Sequence, residues 1–285
     1  MNSDNLNKLI TEALAIEAEE AKEAGTIGYM ARALVQATLP HSKHEGTEFE
    51  RKNGLFRLSI LSPSKIGLPY GSIPRLLVAW LTTEAVRTKE KEITLGNTLS
   101  KFMSELDLIP TGGRWGSITS LRNQMKKLFA AAISCTYDDG HHWAIRNVQP
   151  VSKANLWWNP KNPSQASLFQ STVTLGDEFF NEAINSPVPV DMRVLKALRR
   201  SPLALDIYCW LTYRMSYLQR KTLIPWGALQ AQFGADYAFD AQGIRNFKKA
   251  FLRELRKIYL VYPSAKIETE QNSLVLLPSK SHVRS

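Results

Sequence analysis

The chain has 285 residues, 44% hydrophobic and 22% charged, enough for a sizeable core and, at roughly 100–200 residues per domain, for two domains. Its 36 Lys and Arg against 26 Asp and Glu give a formal net charge of +10, which points to a polyanionic partner, nucleic acid or an anionic membrane surface. Two cysteines, Cys135 and Cys209, rule out a disulfide framework, and no apolar run approaches the roughly 20 residues that span a bilayer. The N-terminus lacks a basic stretch followed by an apolar core, so a soluble cytoplasmic protein is expected.

Charge divides the chain unevenly. Residues 1–50 hold four bases and nine acids, whereas residues 51–285 carry 32 bases and 17 acids. The acidic segment is therefore not expected to make the main contact with a polyanion. Within it Asn5–Ala24 reads as a helix, with Leu6, Leu9, Ile10, Ala13 and Leu14 at helical spacing, ended at Gly25. Ile27–Leu39 reads as a second helix stopped by Pro40. A docking arm or tail is the plainer reading of this segment, a regulatory or partner-binding arm the alternative.

Further on, a faint duplication emerges. Ala79-Trp80-Leu81-Thr82 is echoed by Cys209-Trp210-Leu211-Thr212, 130 residues later. Ile118, Leu121, Met125 and Phe129 then fall on Ile244, Phe247, Phe251 and Leu255, 126 residues apart. Each copy reads as a long helix (74–88 and 202–219), a short strand (92–95 and 222–224), a short helix (97–106 and 225–233) and a longer amphipathic helix (117–132 and 241–259). A β-hairpin closes each. The first hairpin is Ile133–Tyr137 with His142–Val148, turning on Asp138-Asp139-Gly140; the second is Ala265–Thr269 with Ser273–Leu277. That order is a winged helix, a variant of the helix-turn-helix, so the expected fold is α+β: tandem winged-helix domains after a helical N-terminal arm. Between the copies, Asn159–Ser164 reads as a loop, Ser171–Leu175 as a strand, Gly176–Asn185 as a helix, and Asp191 as the cap of the helix Met192–Leu198. The expected domains are an arm over 1–50, a first winged helix over 51–172 and a second over 173–285.

Several strings carry a resemblance. Pro69–Ser72, the run Pro74–Thr88, Thr111-Gly112-Gly113-Arg114-Trp115-Gly116, Pro187–Arg193, Arg200–Asp206 through Trp210–Arg214, and Ile224-Pro225-Trp226 with Gln230–Gly234 resemble the RepA-type plasmid replication initiators. The similarity runs from about Gly28 to the C-terminus. It implies a protein that binds repeated origin sites (iterons) in double-stranded DNA, melts adjacent DNA and recruits the host replicative helicase and initiator proteins. It further implies two winged helices and a monomer–homodimer switch, the dimer often repressing its own promoter. Glu268 and Glu270 in the second wing weaken any grip of its tip on phosphate.

The second long amphipathic helix buries Ile244, Phe247, Phe251, Leu255 and Ile258 on one stripe, leaving Gln242, Arg245, Asn246, Lys249, Arg253 and Arg256 opposite. These are side chains that read purine edges in a major groove. Lys248 adds to the set, and from Arg245 to Lys257 six bases face one acid, Glu254. In the first copy the outward residues are Thr119, Ser120, Asn123 and Lys127, with Arg114 and Arg122 beside them, suited to phosphate more than to bases. The second module is therefore expected to read sequence and the first to hold backbone. Thr111–Gly116 lacks the Gly-Lys-Ser/Thr ending of a nucleotide-binding loop and reads as a tight turn. His41-Ser42-Lys43-His44 and His141-His142 lack cysteine or carboxylate partners at ligand spacing, so no metal and no cofactor is expected. Trp157-Trp158 is expected to pack in a core, with base stacking as the alternative, and both thiols are expected to be buried and inert. No carboxylate cluster or tyrosine–histidine arrangement suggests nuclease chemistry, so the chain is not expected to be an enzyme. A repressor using the same helix on an operator is the runner-up.

Overall fold

The computed structural model describes residues 3–234 and 236–283, a mixed α+β arrangement with ten helices and twelve strands among them. Helix α1 (Ser3–Ala18) buries Leu9, Ala13 and Ile16, a one-face spacing that seats it on helices of the C-terminal half. The expected helix over 27–39 is not formed. Strand β1 (Ile27–Met30) occupies its first part, and only α2 (Arg32–Gln36) is helical. Short apolar runs fit both periods, and here strand pairing decides between them. At Gly28 in β1 the Met192 side chain packs directly on the backbone, since a Cβ there would come within 2.3 Å of its sulfur.

Strands β2 (Glu48–Asn53) and β3 (Phe56–Leu61) form a hairpin turned at Gly54, whose φ is +61°. The first copy of the duplicated unit follows: α3 (Ser72–Thr88), β4 (Glu92–Gly96), α4 (Leu99–Glu105, capped by the Thr98 hydroxyl) and α5 (Ser117–Phe129). Next come β5 (Ala132–Asp138), β6 (Trp143–Val148), β7 (Val151–Asn155) and β8 (Ser171–Leu175). Helix α6 (Asp177–Asn185), strand β9 (Val188–Asp191) and helix α7 (Met192–Leu198) lead to the second copy. It comprises α8 (Pro202–Tyr217), β10 (Thr222–Pro225), α9 (Trp226–Phe233), α10 (Ala241–Val261), β11 (Ile267–Thr269) and β12 (Ser273–Leu276). Proline at the first turn of α8 and the Ser201 hydroxyl accepting from Ala204 N set its start.

Sheet topology corrects the expected first wing. The hairpin around Asp138-Asp139-Gly140 exists, but β5 pairs with β3, giving the antiparallel sheet β2-β3-β5-β6. The strand after α3, β4, is instead joined by β8, and β8 by β7. In the second copy β10 is joined by β12, and β12 by β11. The hairpin matching β11–β12 is thus β7–β8, with residues 156–170 at its tip.

The two copies share one continuous core. Trp80 meets Phe102 edge-on at 5.1 Å and Trp210 meets Phe233 edge-on at 5.5 Å, so the repeated tryptophan anchors the same helix pair twice. Thr82 and Thr212, also paired by the repeat, are both buried. Between the copies, the Arg75 guanidinium on α3 donates from Nε and Nη2 to the two Asp206 carboxylate oxygens on α8, each at 2.7 Å. Arg75 also donates to the carbonyls of Leu39, Pro40 and Gly71, which fastens the chain leading into α3. The acidic first fifty residues are tied to both copies and to the segment between them: β1 pairs with β9 and packs on α3, and α1 lies on α7 and α10.

Candidate nucleic-acid interface

Helix α10 is held at its start by three contacts. Asp240 Oδ1 accepts from Gly243 N at 2.6 Å, and Gln230 Nε2 donates to the carbonyls of Tyr237 and Ala238. The loop comes so close that a Cβ on Gly243 would lie 1.8 Å from the Ala238 oxygen. Phe247, Phe251, Leu255 and Ile258 are buried against the core, with Ile244 partly so, as the spacing requires. That leaves Gln242, Arg245, Asn246, Lys249, Arg253 and Arg256 exposed on one face.

The first turn of that face is ordered by its own side chains. Gln242 Nε2 donates to Asn246 Oδ1 at 2.9 Å, and Arg245 donates from Nε and Nη2 to Gln242 Oε1 at 3.2 and 2.6 Å. Beside it a groove of about 550 Å³ is lined by Tyr237, Asn246, Lys249, Arg253 and Arg256. Further along, the carboxylate of Glu254 is buried and takes hydrogen bonds from Arg253 Nε at 2.8 Å and Lys257 Nζ at 2.5 Å. Burial alone would raise its pKa; the hydrogen bonds from Lys257 and Arg253 outweigh it and hold the group below the usual carboxylate range. Lys248 points elsewhere: its ammonium lies 4.9 Å over the Trp226 ring and donates to the carbonyls of Glu270 and Gln271, fixing the β11–β12 turn to the helix.

The outward residues of α5 form a smaller group. Arg122 and Asn123 are exposed, while Thr119 and Ser120 are half-buried, and the Thr119 hydroxyl donates to the Gly113 carbonyl at 2.8 Å. Lys127 is set apart, its ammonium 4.8 Å over the Tyr70 ring; burial first, then the charge of Lys43, depresses its pKa. Arg114 lies over the Trp115 ring at 5.0 Å, and Trp115 is 86% exposed. Trp115 is not legible in the sequence, because a tryptophan in a glycine-rich turn signals nothing about which way it faces.

The tryptophan pair 157–158 divides. Trp158 stacks on Phe102 at 5.1 Å and donates to the Gly96 carbonyl, whereas Trp157 is half-exposed against Phe169. His41 is half-buried against Asp206, and the backbone amides of His141 and His142 donate to Asp139 Oδ1. Among the described residues no group of three or more His, Cys, Asp or Glu could hold a metal ion, and no helix is long and apolar enough to cross a membrane. Cys135 and Cys209 are buried, and burial pushes the Cys135 thiol up to about 12.

Residues 68–227, from the segment before α3 to the start of α9, match the family model described as plasmid encoded RepA protein. The chain belongs to this family. Two crystal structures of domains 2 and 3 of RctB share its fold. One, 12% identical, has a TM-score of 0.51 and covers 85% of this chain and 94% of its own. The other, a selenomethionine derivative 11% identical, has a TM-score of 0.55 and covers 88% and 99%. No curated protein matches the chain. The family match ends before α10, so the most basic helix lies outside the matched span.

Proposed function

We propose that the chain is a plasmid replication initiator that binds repeated double-stranded sites at its origin through two winged helices. The units are α3–α5 with β4 and the hairpin β7–β8, and α8–α10 with β10 and the hairpin β11–β12. One observation carries the reading: a 21-residue helix anchored on the core by its aromatic stripe presents Gln242, Arg245, Asn246, Lys249, Arg253 and Arg256 to solvent together. The membership in the plasmid-encoded RepA family supplies the biological setting. In this reading Gln242, Arg245 and Asn246, at the N-terminal end that usually enters a groove, read bases, and Arg253 and Arg256 hold backbone. Arg114, Thr119, Ser120, Arg122 and Asn123 contact phosphate from the first unit. The protein performs no chemistry of its own; it promotes local melting and brings host replication proteins to the origin. It works in the cytoplasm, and any homodimer forms through the first unit or the N-terminal segment so that α10 stays free.

The test is plasmid maintenance with the protein supplied in trans. Origin-dependent replication that fails with Arg245→Ala is the expected result. Promoter repression with no effect on origin-dependent maintenance would replace this reading with that of a repressor.

A further inference from the structure

The turn before α5 is built to hold one side chain out. Thr111 N donates to Ser117 Oγ at 2.9 Å, Ser117 N donates to Thr111 Oγ1 at 2.9 Å, and the Ser117 hydroxyl donates to the Ile109 carbonyl at 2.6 Å. Thr119 closes on Gly113 from within the helix. Gly113 has a φ of +86°, and at Gly116 a Cβ would come within 2.2 Å of the Thr111 oxygen, so the loop folds directly onto itself. On this fastened loop Trp115 projects 86% exposed, with the Arg114 guanidinium over its ring. A large aromatic held in water by a rigid loop forgoes burial that a core position would give.

Its surroundings indicate the partner. Along the loop and the first turns of α5, residues 108–125, the chain carries Arg114 and Arg122 and no acid. The turn lies at the N-terminal end of α5, the end of such a helix that usually enters a groove. We propose that Trp115 is a base-stacking wedge. It enters duplex DNA at one base step beside the α5 contact and unstacks that step, while Arg114 takes the adjoining phosphate. Apolar side chains inserted between bases kink a duplex in this way, and an indole accepts any base because every base has a π-face. The proposal rests on the duplex-binding reading above and adds to it the residue that distorts the DNA.

The experiment is permanganate footprinting of unpaired thymines, alongside DNase footprinting, on the supercoiled plasmid that carries the coding sequence. It compares the wild-type protein with Trp115→Ala, Trp115→Phe and Arg245→Ala. The wild type is expected to make thymines hyper-reactive beside its protected sites. Trp115→Ala should lose that reactivity and bind about 5- to 100-fold more weakly, as expected for one lost stacking contact, and Trp115→Phe should restore part of both. If Trp115→Ala binds and distorts as the wild type does while Arg245→Ala alters the protection, the wedge is refuted and the binding reading stands. A change in oligomeric mass with unaltered DNA distortion would equally overturn it, assigning Trp115 to a contact between copies. No protection by the wild type would remove the binding reading and the wedge with it.

Discussion

Asp206 sits at the centre of the interior with two partners. Burial would raise its pKa, but the charge of Arg75 and the hydrogen bonds from His41 and Arg75 outweigh this and hold the carboxyl below its usual range. Removing one member leaves the other charged and buried, so Arg75→Ala should cost about 3–5 kcal/mol in urea unfolding. A loss under about 1 kcal/mol would show that the pair does not join the two copies energetically. Arg51 presents the opposite case. It is 1% exposed, its three guanidinium nitrogens have no hydrogen-bond partner among the described residues, and burial first lowers its pKa to about 10. Its guanidinium lies over the Phe49 ring at 4.8 Å, and the charges of Asp206 and Asp236 offset part of the burial. Arg51→Met, similar in length and without the charge, should raise stability by about 1–3 kcal/mol, and a drop in the melting temperature would contradict this.

Two half-buried histidines set a pH dependence. Burial is the main cause lowering the pKa of both His41 and His282, and the Tyr208 hydroxyl lies 2.9 Å from His282 Nδ1, able to donate to a neutral ring. A histidine whose folded pKa is depressed binds its proton more readily unfolded. The stability it contributes is therefore present above its usual pKa of 6.5 and is lost as pH falls below that value. Thermal melts should shift downward between about pH 7.5 and 5.5, and His41→Gln with His282→Gln should flatten that slope. An equal slope in the double variant would assign the effect to other groups.

At the scale of elements, α10 and α5 are expected to contribute differently. Arg245→Ala or Asn246→Ala should relax preference at one or two base pairs, since a good bidentate contact discriminates by about 1–3 kcal/mol. Arg122→Ala should weaken specific and random duplexes alike and lower the salt slope by about one. Competition binding on protected and scrambled duplexes distinguishes these outcomes; the reverse pattern would exchange the roles of the two helices. The α10 face was legible because an aromatic stripe at 3.6-residue spacing fixes the orientation of everything opposite it. Lys248 illustrates the limit, since its periodic position is basic and outward while its ammonium is spent on the Glu270 and Gln271 carbonyls. Asp138-Asp139-Gly140 correctly signalled a hairpin, but a turn signal is local and says nothing of which sheet the strands join. Asn53-Gly54 is an equally good turn signal; the β2–β3 hairpin it makes completes the sheet that took β5 away from β4.

Across the whole molecule, the duplicated element order could be read from Trp80 and Trp210, because tryptophans anchoring equivalent helix pairs leave a repeated string. The interlock between halves could not. β1 pairs with β9 across some 160 residues, and Arg75 meets Asp206 across 131; neither leaves a local pattern. The charge division could be read directly and has a consequence for binding. With 32 bases and 17 acids over residues 51–285, six to ten phosphate contacts should make affinity fall by roughly 10³–10⁵ between about 50 and 200 mM salt. An affinity flat over that range would exclude a phosphate-dominated interface.

The proposed recognition of repeated duplex sites through α10 has a direct readout. DNase footprinting on the protein's own plasmid tests it most directly. Evenly spaced protected direct repeats, whose margin over flanking DNA shrinks with Arg245→Ala and is kept with Arg122→Ala at higher protein concentration, are the expected result. An absence of protection at low salt, or protection unchanged by Arg245→Ala and Asn246→Ala, would contradict it.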